Sequence, residues 1–219
     1  IHVAHMRGAV IGDVLASILE SSGFKVTREY YVNDSGSQIK VMGKSLYKRY
    51  QQLFDKEVVL TSSEYPGEYL KNIAKIIYDQ DGDKWLNTKN EIEKLKYFEN
   101  FAVKNLMASI KEDLSLININ FDRFTFESEI VANELINNVF SLLKEKNLLY
   151  EGILDKPKNE EENDWEPRKQ LLFRSSNFGD DADRPFQKAN GELTYFAKDA
   201  AYHYEKYSRG YDQLINIWG

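Results

Sequence analysis

Ile1-His-Val-Ala-His-Met-Arg-Gly-Ala-Val-Ile-Gly12 is the stretch on which the reading of this chain turns. Beyond it Val10, Val14, Ile18 and Leu19 recur at helical spacing, which predicts a helix from about His5 to Ser22 with Gly23 as its left-handed stop. An apolar lead therefore hands over to a helix at His2 and His5. The first turn of a helix carries unpaired N–H groups and the positive end of its dipole, a setting that attracts phosphate. Two imidazoles above it add donors for phosphoryl oxygens without a fixed charge. Two histidines near a chain start can equally mean nothing, and spacing alone does not choose.

Further along, Phe24, Val26, Arg28, Tyr30 and Val32 alternate as in a strand. Strand end, helix and strand make one βα unit of a parallel sheet, which binds nucleotides at the carboxyl ends of its strands. Asn33-Asp-Ser-Gly36 is turn chemistry at such an end, although an ordinary βα loop reads the same way. From Ile39 the character changes to helical faces, at Ile39 to Leu53, Glu68 to Tyr78, Asn90 to Asp113 and Ser128 to Lys146. Aromatic residues at these spacings read as core packing, not as a cofactor box. Phe121, Phe124 and Phe126 mark a short extended piece, and Leu148 to Leu154 a strand. Lys156 to Pro167 is a charged, proline-bracketed loop. Gln170 to Ser175 is strand-like, and Ala189-Asn-Gly191 marks a hairpin between Phe186–Lys188 and Leu193–Phe196. A helix from Ala197 to Arg209 and a buried parallel strand at Leu214 to Trp218 complete the pattern.

The 219 residues suffice to bury a core in one domain or two small ones. No apolar run is long enough to span a bilayer, and no leader peptide is visible. The chain has no cysteine, which excludes disulfides and thiolate metal sites. A cytoplasmic protein is expected. A net charge of −6 argues against a surface given over entirely to nucleic acid, but a local patch remains compatible with RNA binding. The chain opens without Met, inside a motif, and stops after a strand-like run, so it is expected to be an excised piece of a longer enzyme.

His2-Val-Ala-His5 resembles the HIGH motif of class I aminoacyl-tRNA synthetases, and its surroundings narrow the match. His-Met-Arg-Gly-Ala with Gly12-Asp13 resembles the HARGA…GD start of the arginyl-tRNA synthetases, and Arg28-Glu-Tyr-Tyr-Val-Asn-Asp-Ser-Gly-Ser-Gln38 resembles their REYYINDAGNQ. Glu64 to Leu70, Phe121-Asp-Arg-Phe124 and the run from Gln170 to Tyr211 have counterparts in the bacterial form, in the same order. A lone HxxH would be weak; the ordered set covers nearly the whole chain.

The resemblance implies an α/β fold: a Rossmann-like parallel sheet of class I synthetase type, interrupted by a mostly helical connective-polypeptide insertion. Residues 1–38 would open the catalytic domain, 39–167 form the insertion, and 168–219 resume the catalytic domain ahead of a KMSKS-type loop and an anticodon-binding domain. The implied activity is ATP-dependent activation of L-arginine to arginyl adenylate, then transfer to the terminal adenosine of tRNA(Arg). His2 and His5 would be catalytic and, with Gly8, bind ATP, whose Mg²⁺ arrives with the nucleotide. Tyr195 and Asp199 match the family's YxxxD and would bind the guanidinium, with His2 also at the arginine. Asp34, Gly36, Gln38 and His203 would belong to the site floor, His203 orienting Asp199. The insertion lysines, among them Lys40, Lys44, Lys104 and Lys111, are candidates for tRNA phosphates, or simply solvated helix faces. Phe178-Gly-Asp-Asp-Ala-Asp-Arg184 resembles FGDDxDR; it lacks EF-hand ligand spacing, so it is not expected to hold metal. A monomer without membrane attachment is expected, and the 219 residues alone are expected to be inactive. Another HxxH nucleotidyltransferase, or a non-catalytic tRNA- or substrate-binding piece, is the alternative.

Overall fold

The computed structural model describes residues 3–132, 135–154 and 168–218. His2 and the charged loop at 156–167 lie outside them. The chain divides into two compact units, Ile1–Phe124 with Ile217–Gly219, and Thr125–Asn216.

In the first unit α1 (Val3–Ser21) is tied to the segment after it by one side chain. Arg28 Nε donates to Asp13 at 3.0 Å, and its terminal nitrogens donate to Glu20 at 2.7 and 3.0 Å and to Ser17 at 3.2 Å. The Glu20 carboxylate, with Asp13, holds the Arg28 pKa above its ordinary value despite partial burial. A planar guanidinium suits this task because its donors fork in fixed directions. The Arg28 backbone N–H donates to Asp122 at 2.7 Å, just where β1 (Glu29–Val32) begins. β1 forms a two-stranded sheet with β2 (Arg123–Phe126), and the Tyr30 ring meets Phe121 and Phe124 at 5.2 and 5.6 Å.

Helices α2 (Ser37–Gln52), α3 (Tyr69–Asp81), α4 (Lys84–Asn87) and α5 (Glu91–Leu116) enclose a core of Leu46, Tyr50, Leu70, Ile73, Ile77, Trp85 and Phe98. Asn90 caps α5 by accepting from the Glu93 N–H at 3.2 Å. α2 comes close to α5 at Gly43, where an added Cβ would lie 3.0 Å from the Glu99 backbone nitrogen. The Tyr50 hydroxyl donates to the Gly82 carbonyl, so this buried phenol does not leave its oxygen unpaired. The expectation that the aromatic stripe is packing is met here.

The second unit holds α6 (Glu127–Ala132), α7 (Leu135–Glu145), β3 (Leu149–Gly152), β4 (Gln170–Phe173), β5 (Arg184–Gln187) and α8 (Tyr195–Ser208). Its sheet runs β3-β4-β5, antiparallel throughout, with Tyr150 opposite Leu172 and Leu172 opposite Pro185. Phe186 is fully buried, 5.4 Å from the Phe140 ring and 6.3 Å from Phe196. Through these rings α7 and α8 pack on the sheet.

The expected α/β class is met, but several local expectations are corrected. The three-stranded sheet β3-β4-β5, whose strands were expected without an orientation, is antiparallel. Leu214 to Trp218 forms no ladder, and Ile215 and Trp218 are 53% and 72% exposed. An apolar run becomes a parallel strand only when a neighbour supplies its hydrogen bonds, and no described strand does so. Residues 24–28 are not strand; the Arg28 side chain goes to Asp13 and Glu20, and its carbonyl accepts from the Asp122 and Arg123 N–H groups where the β1–β2 pairing begins. The helix read at Ser128 to Lys146 is seen as α6 and α7 on either side of residues 133–134, which lie outside the described residues. The hairpin is present as expected: Lys188 N–H donates to Glu192 O at 2.8 Å and Thr194 N–H to Phe186 O at 3.2 Å, around a bridge between Gln187 and Leu193.

Candidate functional site

His5 lies in the first turn of α1 and is exposed. The helix already includes Val3, so His5 sits within its first turn. His2 lies outside the described residues. Gly8, three residues on from His5, shares its side of the helix. A Cβ at Gly8 would meet Ile217 Cγ2 at 3.8 Å, and one at Gly12 would meet Ile217 Cγ1 at 3.5 Å. Both are ordinary contacts. Packing therefore does not demand glycine at position 8.

The β1–α2 turn carries Asp34 and Gly36, and Gln38 stands in the first turn of α2. Gly36 is the N-terminal boundary residue of α2 at φ 92°, a conformation that costs any residue with a Cβ. That requirement alone accounts for a glycine there. Gln38 accepts a hydrogen bond from the Tyr65 hydroxyl at 2.6 Å, and the half-buried Asp34 donates its backbone N–H to Val32 O at 3.1 Å.

In the second unit α8 brings three of the candidate residues to one side. Thr194 caps it: Oγ1 accepts from the Ala197 N–H at 3.3 Å and donates to Pro185 O at 2.7 Å. The cap fixes the helix start to β5, so Tyr195, expected on a strand end, stands in the first turn of the helix. Tyr195 and Asp199, four apart, face the same way, with Tyr195 69% exposed and the Asp199 side chain 45% exposed. His203 Nε2 lies 3.6 Å from Asp199 Oδ2, one turn further on. Burial lowers the His203 pKa, Lys206 lowers it further, and Asp199 opposes both. The imidazole is thus mainly neutral at pH 7. A phenol and a carboxylate on one exposed face, with no cation taking up the carboxylate in this triplet, suit a planar cationic group.

Lys198, between Tyr195 and Asp199, was missed by the sequence reading. Its Nζ donates to Glu127 Oε1 of α6 at 2.8 Å and stands 5.7 Å from the Tyr195 ring centroid. No pattern in the sequence pairs residues so far apart. Thr194 was missed too, although Thr before an amphipathic run is a cap signal.

The FGDDADR loop is braced by its own side chains. Arg184 binds Asp180 at 2.5 and 2.7 Å and thereby pulls the Asp180 pKa below the usual carboxylate range. Asp183 accepts from Ser176 Oγ at 2.6 Å and from the Tyr150 hydroxyl at 2.7 Å.

His5 and Gly8, with the β1–α2 turn, belong to one unit, and Tyr195, Asp199 and His203 to the other. Both segments fall within a span that matches known proteins. Residues 1–217 match the family model described as tRNA synthetases class I (R), catalytic domain. The arginine–tRNA ligase of Ehrlichia chaffeensis is 45% identical over 214 residues, covering 98% of this chain and 37% of that protein. The Ruegeria sp. enzyme of the same name is 45% identical over 219 residues, 100% of this chain and 38% of its own length. A Campylobacter jejuni crystal structure assigned as an arginyl-tRNA synthetase superposes with a TM-score of 0.83 at 31% identity, covering 100% of this chain and 44% of that one. The chain belongs to the class I tRNA synthetase (R) catalytic-domain family. It spans 37–38% of the length of these two curated relatives.

Proposed function

We propose that this chain is part of the catalytic domain of an arginine–tRNA ligase. The arginine carboxylate attacks the α-phosphorus of ATP, the bond to pyrophosphate breaks, and a ribose hydroxyl of the terminal adenosine of tRNA(Arg) then takes the acyl group and releases AMP. His2 and His5 donate to phosphoryl oxygens as charge builds on them, with the dipole of α1 behind them. Gly8 leaves room for close approach of the nucleotide, whose Mg²⁺ comes with it. Asp199 pairs with the guanidinium and the Tyr195 hydroxyl binds beside it, while neutral His203 orients Asp199 without competing for its charge. His2 also contacts arginine, and Asp34, Gly36 and Gln38 contribute to the floor of the site.

The observation that carries this reading is the pairing of Tyr195 and Asp199 on one exposed face of α8, within a motif order matched along residues 1–217. Residues 1–38 and 168–219 are assigned to the catalytic domain and 39–167 to the connective insertion. The protein acts in the cytoplasm as a monomer on tRNA(Arg), away from membranes. Among the described residues no helix is long and apolar enough to cross one.

Arginine-dependent exchange of pyrophosphate into ATP, with tRNA present, tests the proposal on the full-length protein. Exchange with arginine and none with other amino acids is expected. Exchange indifferent to the amino acid would favour another HxxH nucleotidyltransferase, and tRNA binding with no exchange a binding piece. The 219 residues alone contain no counterpart of the KMSKS loop and are not expected to support exchange.

A further inference from the structure

We propose that Glu127 is a positioning and specificity-determining residue for the arginine site, acting through Lys198; the inference rests on the assignment of Tyr195 and Asp199 to that site. A cationic side chain in the first turn of α8 is an awkward neighbour for a site that takes a guanidinium. Lys198 lies between the two proposed ligands in sequence, and its Nζ stands over the Tyr195 ring at 5.7 Å. Left alone, that ammonium would repel the substrate and would be free to pair with Asp199, the carboxylate the substrate needs. Glu127 prevents both. Its side chain is 2% exposed, that of Lys198 16%, and the Nζ–Oε1 distance is 2.8 Å.

A buried carboxylate beside a nearly buried ammonium is tightly held, because neither charge has enough water to fall back on. The pair therefore does two things. It neutralises Lys198 next to the guanidinium position, and it fastens the first turn of α8 to the start of α6, fixing where Tyr195 presents its hydroxyl. Thr194 fixes the same turn to β5 from the other side through Pro185. A merely structural ion pair would do only the fastening.

Charge distinguishes these roles. The test is aminoacylation by the full-length protein with tRNA present, comparing Glu127→Gln, Lys198→Met, the double variant and Asp199→Asn. L-citrulline, whose ureido group has arginine's shape without its charge, serves as competitor. Glu127→Gln is expected to raise KM for arginine by about tenfold, the order of effect of one uncompensated like charge near a surface site. The KM for ATP should stay within about twofold and kcat should fall less than arginine affinity does. Inhibition by citrulline should change little. The double variant should recover most of the arginine KM because it removes the ammonium along with its partner. Should Glu127→Gln fail to fold, the double variant set against Lys198→Met keeps the test open, since an arginine KM in both close to wild type is still expected. Equal loss for arginine and citrulline, or a double variant as impaired as Glu127→Gln, would overturn the charge role. Unchanged arginine KM in a folded Glu127→Gln would overturn the proposal while the arginine site stands, provided Asp199→Asn is impaired. If Asp199→Asn is also unchanged, the assignment of the arginine site itself fails.

Discussion

His203 Nε2 stands 3.6 Å from Asp199 Oδ2, one helical turn along α8. The imidazole titrates below its usual 6.5 because it is partly buried and Lys206 lies near, against the smaller pull of Asp199. Between that lowered value and about 6.5 the unfolded chain binds more protons than the folded one. This group's contribution to stability is therefore full above that window and is lost as pH falls through it. Thermal scans from about pH 7.5 down to about pH 5.5 should show a melting temperature that falls less in His203→Gln than in the parent. Identical pH dependence in the two would assign the acid sensitivity elsewhere.

Asp199→Asn keeps the size and removes the charge. A desolvated guanidinium left without its carboxylate loses about 3–5 kcal/mol, so kcat/KM for arginine should fall by about 10²–10³. The melting temperature should hardly move, since a first-turn charge is worth about 0.3–1 kcal/mol to its helix. Steady-state kinetics and a thermal scan on one preparation decide the matter. A loss of stability with arginine kinetics intact would leave Asp199 as a dipole contact only.

His5→Ala should lower kcat by about 10²–10³, the cost of one preorganised donor to developing phosphoryl charge. The KM for ATP should change far less. Stability should be unaffected, because His5 is exposed at the start of α1. Lost ATP affinity with normal turnover would move His5 into ground-state binding.

Phe98→Ala examines the helical core. Phe98 is fully buried, with the rings of Tyr47, Tyr50, Trp85 and Tyr97 between 5.0 and 6.1 Å away. Chemical denaturation should report a loss of about 3–5 kcal/mol, the range for truncating a buried aromatic side chain. A loss below about 1 kcal/mol, the size of an ordinary point substitution, would mean that this aromatic stripe is not the structural core of its unit.

The order of motifs, the long amphipathic helices and the α/β class were legible in the residues themselves. Periodicity at α1, α2, α3 and α5 follows from local geometry: apolar residues three and four apart face one way whatever surrounds them. The HxxH start and the YxxxD element are local as well. Gly36 could be read as turn chemistry, and its φ of 92° gives the steric reason. Strands were another matter. The alternation at 24–28 and the apolar run at 214–218 looked like strands, but a ladder is made by two segments, and which segments pair is settled in three dimensions. The same holds for Arg28 with Asp13 and Glu20, for the buried Lys198–Glu127 pair, and for Thr194, whose hydroxyl ties α8 to β5. The sequence by itself determined which residue types stand on one face of each helix. Tertiary structure decided which charges meet, because Coulomb attraction and hydrogen bonding depend on distances that only chain folding creates.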